Sequence, residues 1–179
     1  MLMEYTDEQL IERYQNGDQS ALVTLTTRYF DTIYRYTYRF ARDRAATEDI
    51  VQDTFIKVWK SIARFDKSMK VKPWLYRIAH NTAIDYLRKK KMISFSSMEG
   101  EQFEETIADE AVGTMEQAIA AEERAVLTQK IESLPTHYKE VLLLRAEESL
   151  TFEEISIALS KPLNTIKSLY RRALLLLQK

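Results

Sequence analysis

No cysteine occurs among the 179 residues, which excludes disulfides and thiolate metal sites and suits a reducing compartment. Glycine and proline number 3 each, too few turn-formers for a many-stranded sheet and enough for helices joined by short loops. No apolar run approaches the ~20 residues that span a bilayer. VLLL at 141–144 and ALLLL at 173–177 read as pieces of helix core. The N-terminus, MLMEYTDEQL, is acidic and lacks the basic start and apolar stretch of a signal peptide. No Gly-rich phosphate loop or nucleophile elbow is visible. Glu48, Asp49, Asp53, His80 and Asp85 could gather on adjacent helices, but neither histidine has the Glu-x-x-His spacing of helical di-metal sites. The expectation is an all-α, soluble, cytoplasmic protein without membrane insertion, metal, cofactor, small-molecule substrate or catalytic residues.

What the chain does have is segregated charge. Residues 1–92 carry 17 Lys and Arg against 12 Asp and Glu. Residues 93–123 carry 9 acids and no base, and residues 124–179 carry 9 bases against 6 acids. Two basic lobes flanking an acidic strip are suited to a polyanion partner. With 45% hydrophobic and 30% charged residues, the length accommodates one or two small domains.

Helix signals follow in order. Thr6 with Gln9 forms a capping box for a helix that Asn16-Gly17 closes. Asp18 starts a helix over about 19–41, rich in aromatics, and further helices run over about 45–62 and 73–91. Pro73 occupies the favoured first turn. Segment 93–113 has no sustained period and reads as a flexible acidic linker. Thr114 with Gln117 opens a helix that Pro135 ends, and a helix at about 136–147 follows. The predicted architecture is therefore two small helical domains, 1–92 and 114–179, joined by the linker 93–113.

The last thirty residues read as a helix-turn-helix. TFEEISIAL (151–159) is a short amphipathic helix, Ser160-Lys161-Pro162-Leu163 breaks it, and Asn164 can cap a second helix over 165–178. Ile166, Leu169, Tyr170, Ala173, Leu174 and Leu177 form its apolar stripe, while Lys167, Ser168, Arg171 and Arg172 face outward. A small side chain at Ser156 lets the two helices cross closely, and such a corner presents the second helix to a major groove. An ordinary helical hairpin with solvated basic residues is the plainer alternative.

On helix 73–91, Trp74, Leu75, Ile78, Ala79, Thr82 and Tyr86 share a core face. Arg77, His80, Asn81, Ile84 and Arg88 occupy the opposite one, and Arg and Asn side chains pair well with base edges and phosphates. The terminal Arg88-Lys89-Lys90-Lys91 run suits DNA, although cations at a helix C-terminus are favourable without it. Helix 45–62 is expected to bury Val51, Phe55, Val58, Trp59 and Ile62. Its outward face, Asp49, Gln52, Asp53, Ile56 and Lys60, suits contact with a basic protein better than with DNA, though these residues alone favour an ordinary solvated face with one stray apolar side chain.

In this order, EDIVQDTFIKVW (48–59), PWLYRIAHNTAIDYLRKKK (73–91) and LPTHYKEVLLLRAEESLTFEEISIALSKPLNTIKSLYRRA (134–173) resemble the extracytoplasmic-function (ECF) group of bacterial sigma factors. The resemblance covers nearly the whole chain. It implies two helical domains that clamp RNA polymerase core and read two promoter elements. Asp49, Gln52, Asp53, Ile56 and Lys60 would then meet the coiled coil of the largest polymerase subunit. Lys67, Lys70, Lys72, Arg77, His80, Asn81, Arg88 and Lys89 would serve the −10 element. Asn164, Thr165, Lys167, Ser168, Arg171 and Arg172 would serve the −35 element, with the flap of the second-largest subunit as a further partner. An inhibitory anti-sigma factor is also implied. The chain departs from the family's usual pattern at Ser160, where Gly is frequent, and at Asn164-Thr165, where Gly-Thr is frequent. Leu169, Tyr170-Arg171, Val71 and Pro73 differ too, so promoter sequence does not transfer from other members. The alternative is a helix-turn-helix regulator acting on duplex DNA without polymerase, which leaves the Asp49–Ile56 face unexplained.

Overall fold

The computed structural model describes residues 5–96 and 127–178, and both stretches are helical throughout apart from short turns. The chain divides into two compact units. In the first, α1 (Asp7–Gln15), α2 (Gln19–Ala41), α3 (Arg44–Ile62) and α4 (Val71–Ser96) pack on one another. After these come α5 over 127–133, α6 (Thr136–Ala146), α7 (Phe152–Leu159) and α8 (Leu163–Leu177), most of whose residues form the second unit. Among the described residues no helix is long and apolar enough to cross a membrane.

Local chemistry sets the helix ends. The Thr6–Gln9 capping box is present, and Asn16 ends α1 with Gly17 at φ +100°, a conformation that side chains disfavour. Asp18 caps α2 by accepting from Ser20 N, and Asp43 caps α3 by accepting from Ala46 N at 2.7 Å. α4 begins at Val71, two residues before the expected start, so Pro73 is its third residue. The missing N–H costs nothing there, because first-turn donors have no intrahelical partner. The same helix continues to Ser96, so 93–96 belong to it and not to the linker. Segment 97–113 and the expected Thr114–Gln117 capping box lie outside the described residues.

The core of the first unit follows helical spacing. Leu10 and Ile11 of α1, Leu25 and Ile33 of α2, Ile50, Val51, Val58 and Ile62 of α3, and Val71, Leu75, Tyr76 and Ala79 of α4 are buried. Each fully buried Leu or Ile contributes about 1.5–3 kcal/mol before the cost of ordering it. Thr47 and Thr54 are buried within α3 because each hydroxyl donates to the carbonyl four residues back, Asp43 and Ile50, at 2.7 Å. Asp7 fastens α1 to α2 by accepting from Arg28 Nη1 at 2.5 Å and from the Tyr29 hydroxyl. Burial, then the Asp7 contact, raises the Tyr29 phenol far above its usual range, so it stays a donor.

In the second unit Leu134, Leu142 and Ala173 form a core against which Tyr138, Tyr170 and Leu177 pack. Lys139 is buried at the α5–α6 corner, donating to Glu132 Oε2 at 2.8 Å and Glu132 O at 3.0 Å. That pairing is what makes a buried ammonium tolerable. Helix α7 opens with a capping box the sequence reading passed over: Thr151 Oγ1 accepts from Glu154 N, and Glu154 Oε2 accepts from Thr151 N.

Candidate functional site

Three surfaces carry the residues singled out from the sequence. On α3, Asp49, Gln52, Asp53, Ile56 and Lys60 are all exposed and share one side of the helix. Trp59 lies beside them at 56% exposure, correcting its expected place in the core. It has company: Phe30 and Val23 of α2 are also exposed, and Phe30 stacks on Phe55 with ring centroids 6.1 Å apart. The surface is thus acidic at one end, through Asp49 and Asp53, and apolar toward the other. Hydrophobic spacing could not reveal this, because an exposed tryptophan has the same period as one that faces the core. The Tyr86 phenol of α4 is raised by burial and then by the carboxylates of Asp49 and Asp43, which places Asp49 next to α4.

The second surface is the outward stripe of α4. Arg77, Asn81, Ile84 and Arg88 are exposed at spacings of four, three and four residues, a straight line along the helix. Lys89 is exposed beyond them. His80 is not part of this surface. It is 8% exposed, with Nδ1 3.5 Å from the Tyr36 hydroxyl, and Tyr36 meets the Tyr76 ring edge-on. The expected face was too broad: a one-residue step around the helix is enough to carry a side chain from solvent into the α2–α4 contact. Two carboxylates trim the cationic field, Asp85 at 3.1 Å from Arg88 Nη2 and Asp43 at 3.7 Å from Lys90.

The loop between α3 and α4 leads into this stripe. Lys67 and Lys70 are exposed and Lys72 half-buried. Asp66 folds the loop by accepting from Ser68 N at 2.9 Å, and this backbone hydrogen bond is the main reason its carboxyl lies below the usual value. Phe65 is buried and packs edge-on against Trp74 at 4.8 Å. A cation missed in the sequence sits nearby: Lys57 of α3 donates to the Thr82 hydroxyl of α4 at 2.9 Å.

The third surface is α8. Asn164, Thr165, Lys167, Ser168, Arg171 and Arg172 are all exposed, and Ile166 and Ala173 are fully buried. Two expectations change. Asn164 does not cap the helix, because Pro162 holds the cap position without a side-chain cap and Leu163 is already helical. Leu174 is 40% exposed, since α8 packs against α6 along a stripe narrower than its run of leucines.

The corner before α8 is tightly tied. Ser156 Oγ donates to Lys161 O at 2.6 Å, and Ser160 adopts φ +51°. Phe152 of α7 meets Tyr170 of α8 edge-on at 5.2 Å, and the Arg145 guanidinium lies over the Phe152 ring. Arg145 also donates to Leu150 O at 2.8 Å, so one α6 side chain orients the start of α7. Beneath the turn, Glu140 is 4% exposed with Lys161 Nζ 3.9 Å away. Burial pushes its carboxyl up to about 7, and Lys161 pulls it only partly back.

Comparison with known proteins agrees with the division into units. Residues 25–92 match the Sigma-70 region 2 family and residues 124–177 match Sigma-70, region 4. The RNA polymerase sigma-H factor of Pseudomonas aeruginosa is 33% identical over 178 residues, covering 97% of this chain and 92% of that protein. The ECF RNA polymerase sigma factor SigW of Bacillus subtilis is 33% identical over 175 residues, covering 95% of this chain and 94% of its own length. Two solved structures share the fold. One, CnrH in complex with the cytosolic domain of CnrY, superposes with a TM-score of 0.68 at 23% identity, covering 96% of this chain and 94% of that one. The other, the sigma factor RpoE with the anti-sigma factor NepR from Bartonella quintana, gives 0.70 at 21% identity, covering 86% and 91%. With whole-length identity to sigma factors and both conserved-region families matched in order, the chain belongs to the ECF group of the sigma-70 family of RNA polymerase sigma factors.

Proposed function

We propose that this chain is a promoter-specificity subunit of bacterial RNA polymerase, in which residues 1–96 dock on core and hold the −10 element, 97–113 span the gap, and 114–179 read the −35 element. The observation that carries the reading is identity along the whole length of relatives named RNA polymerase sigma factors, joined to an exposed docking face on α3 and exposed basic faces on α4 and α8. A regulator acting on duplex DNA alone would have no use for the Asp49–Trp59 surface.

Each surface has a physical task. Asp49 and Asp53 lie one turn apart and complement a basic partner helix, while Ile56 and Trp59 supply apolar anchoring beside them. On α4, Arg77, Asn81 and Arg88 offer planar donors to bases that have left the stack, and Lys67, Lys70, Lys72 and Lys89 hold phosphates. Bases captured after unpairing bias the duplex toward the melted state, because only the open form gains those contacts. On α8, Lys167, Ser168, Arg171 and Arg172 face a major groove, with Asn164 and Thr165 at the end that enters it. Phosphodiester chemistry stays with core, and this chain supplies no catalytic group. It works where polymerase works, in the cytoplasm, and an anti-sigma factor covering these surfaces would silence it.

Run-off transcription with purified core over a genomic fragment library tests the reading. Discrete transcripts sharing two upstream elements are expected, and Asp49→Lys with Asp53→Lys should abolish them while leaving the helical content intact. DNA retention without any core-dependent transcript would favour the duplex-only regulator.

A further inference from the structure

The first helix has no part in the surfaces described above, yet it reaches the loop that introduces the α4 stripe. Gln15, the last residue of α1, donates from its side-chain amide to Ile62 O at 3.1 Å and Phe65 O at 3.2 Å. A primary amide nitrogen carries two hydrogens, one for each carbonyl. Ile62 closes α3 and its carbonyl also accepts from Phe65 N at 3.1 Å, while Phe65 O lies three residues beyond the helix, so the amide ties the helix end to the start of the loop. Three residues earlier, Glu12 accepts from Lys67 Nζ at 3.0 Å. Two successive turns of α1 therefore hold the α3 side of the loop, at Ile62, Phe65 and Lys67.

The grip matters only if α1 is itself fixed. It is: Leu10 and Ile11 are buried, and Asp7 binds Arg28 and Tyr29 of α2. Arg28 Nη2 also donates to Tyr5 O at 2.8 Å, and Arg13 Nε donates to Asp18 Oδ2 at 2.9 Å across the α1–α2 turn. On the far side, the held segment passes its position to α4 through Phe65, which packs edge-on against Trp74 in the first turn. Glu8, Glu12 and Lys67 line the cavity of about 180 Å³ between α1 and the loop, so the two carboxylates partly neutralise the Lys67 cation there.

We infer that α1 is a strut for the −10 loop, with Gln15 as the residue that positions it and Glu12 as a tether holding Lys67 until nucleic acid arrives. Exposed ion pairs of the Glu12–Lys67 kind are worth little, so a phosphate can displace the carboxylate readily. The Gln15 clamp is different in kind. Its acceptors are backbone carbonyls, which need a donor, and a carboxylate of nearly the same shape would face them with oxygen alone. The inference rests on the sigma-factor reading of the α4 surface.

The test uses holoenzyme assembled from the full chain and core, with two single-stranded oligonucleotides: the −10 strand found by run-off transcription, and a scrambled strand. Gln15→Ala and Gln15→Glu are expected to lower the affinity ratio between the two strands roughly 3–10-fold, the scale of one or two lost hydrogen bonds, with scrambled-strand binding and core affinity unchanged. A uniform fall on both strands together with weaker core binding would mean general destabilisation and would overturn the inference. So would an unchanged ratio. Glu12→Ala, on an exposed site that keeps the fold, covers the case in which the Gln15 variants fail to fold. It should raise scrambled-strand affinity roughly 2–3-fold, through the freed Lys67, and lower the ratio; no change in either quantity overturns the tether and the strut. A wild-type chain that assembles no holoenzyme removes the sigma-factor reading itself, whereas a normal wild type with unaffected variants removes only this inference.

Discussion

Ser156 Oγ sits 2.6 Å from Lys161 O, so the residue that lets α7 and α8 cross closely also closes the turn between them. Ser156→Ala keeps the small volume and leaves the carbonyl without this donor, a loss of about 1 kcal/mol. Ser156→Leu adds overpacking of about 1–3 kcal/mol. Thermal unfolding of the two variants should rank them in that order, and only the leucine variant should lose −35 duplex affinity. Normal binding by Ser156→Leu would show that close crossing is not what presents α8.

Ser160 holds φ +51°, where an L side chain is disfavoured by about 1–2 kcal/mol and glycine is not. Glycine gives back part of that through its freer unfolded chain, about 0.5–1 kcal/mol. Ser160→Gly should therefore stabilise the α7–α8 corner by about 0.5–1 kcal/mol, read as a rise in melting temperature of a few degrees. A fall would mean that the serine hydroxyl does something the backbone angle does not reveal.

Exposure of Trp59 separates its folding role from its docking role. A core tryptophan cut to alanine costs about 3–5 kcal/mol. At 56% exposure, Trp59→Ala should cost about 1 kcal/mol or less, yet weaken polymerase core in a pull-down or calorimetric titration at least tenfold. Equal core binding by the variant would confine the docking surface to Asp49, Gln52, Asp53, Ile56 and Lys60.

Glu140 gives the second unit a pH slope of unusual sign for a carboxylate. Its folded value of about 7 lies above the ordinary 4.5, so the folded state holds the proton more tightly than the unfolded chain does. The stabilisation is complete below about 4.5 and is lost as pH rises through about 7, a change on the order of 3 kcal/mol. Urea unfolding of Glu140→Gln should be flat across that window. A wild-type stability that rises from pH 5 to pH 7 would contradict the assignment.

The legible part of this protein was whatever local chemistry decides. The Thr6–Gln9 box, the Asp18 cap, the exposed Arg77–Asn81–Arg88 line and the outward residues of α8 all follow from neighbours within about two turns. What escaped depends on how wide a buried face becomes once helices pack. His80 lies just inside the edge of such a face and Leu174 just outside one, and periodicity locates a face's centre better than its edges. Trp59 escaped because hydrophobicity says that a side chain shuns water without saying which molecule covers it. The Gln15 clamp had no signal at all, since its partners are carbonyls that every residue carries.

Gln15 and Phe65 are 50 residues apart in the chain, and this spacing has a bearing on the order of assembly. Joining them closes a long loop, whose entropy cost precedes any gain, whereas α1 with α2 and α2 with α3 are sequence neighbours that can pair early. On the ribosome α1, α2 and α3 are all synthesised before Phe65, so the docking helices can be packed while the loop still lacks its fourth wall. Local opening runs the other way. Amide hydrogens at 63–70 should exchange ahead of those in α2 and α3, making the loop proposed as a reader the last part to be finished and the first to loosen.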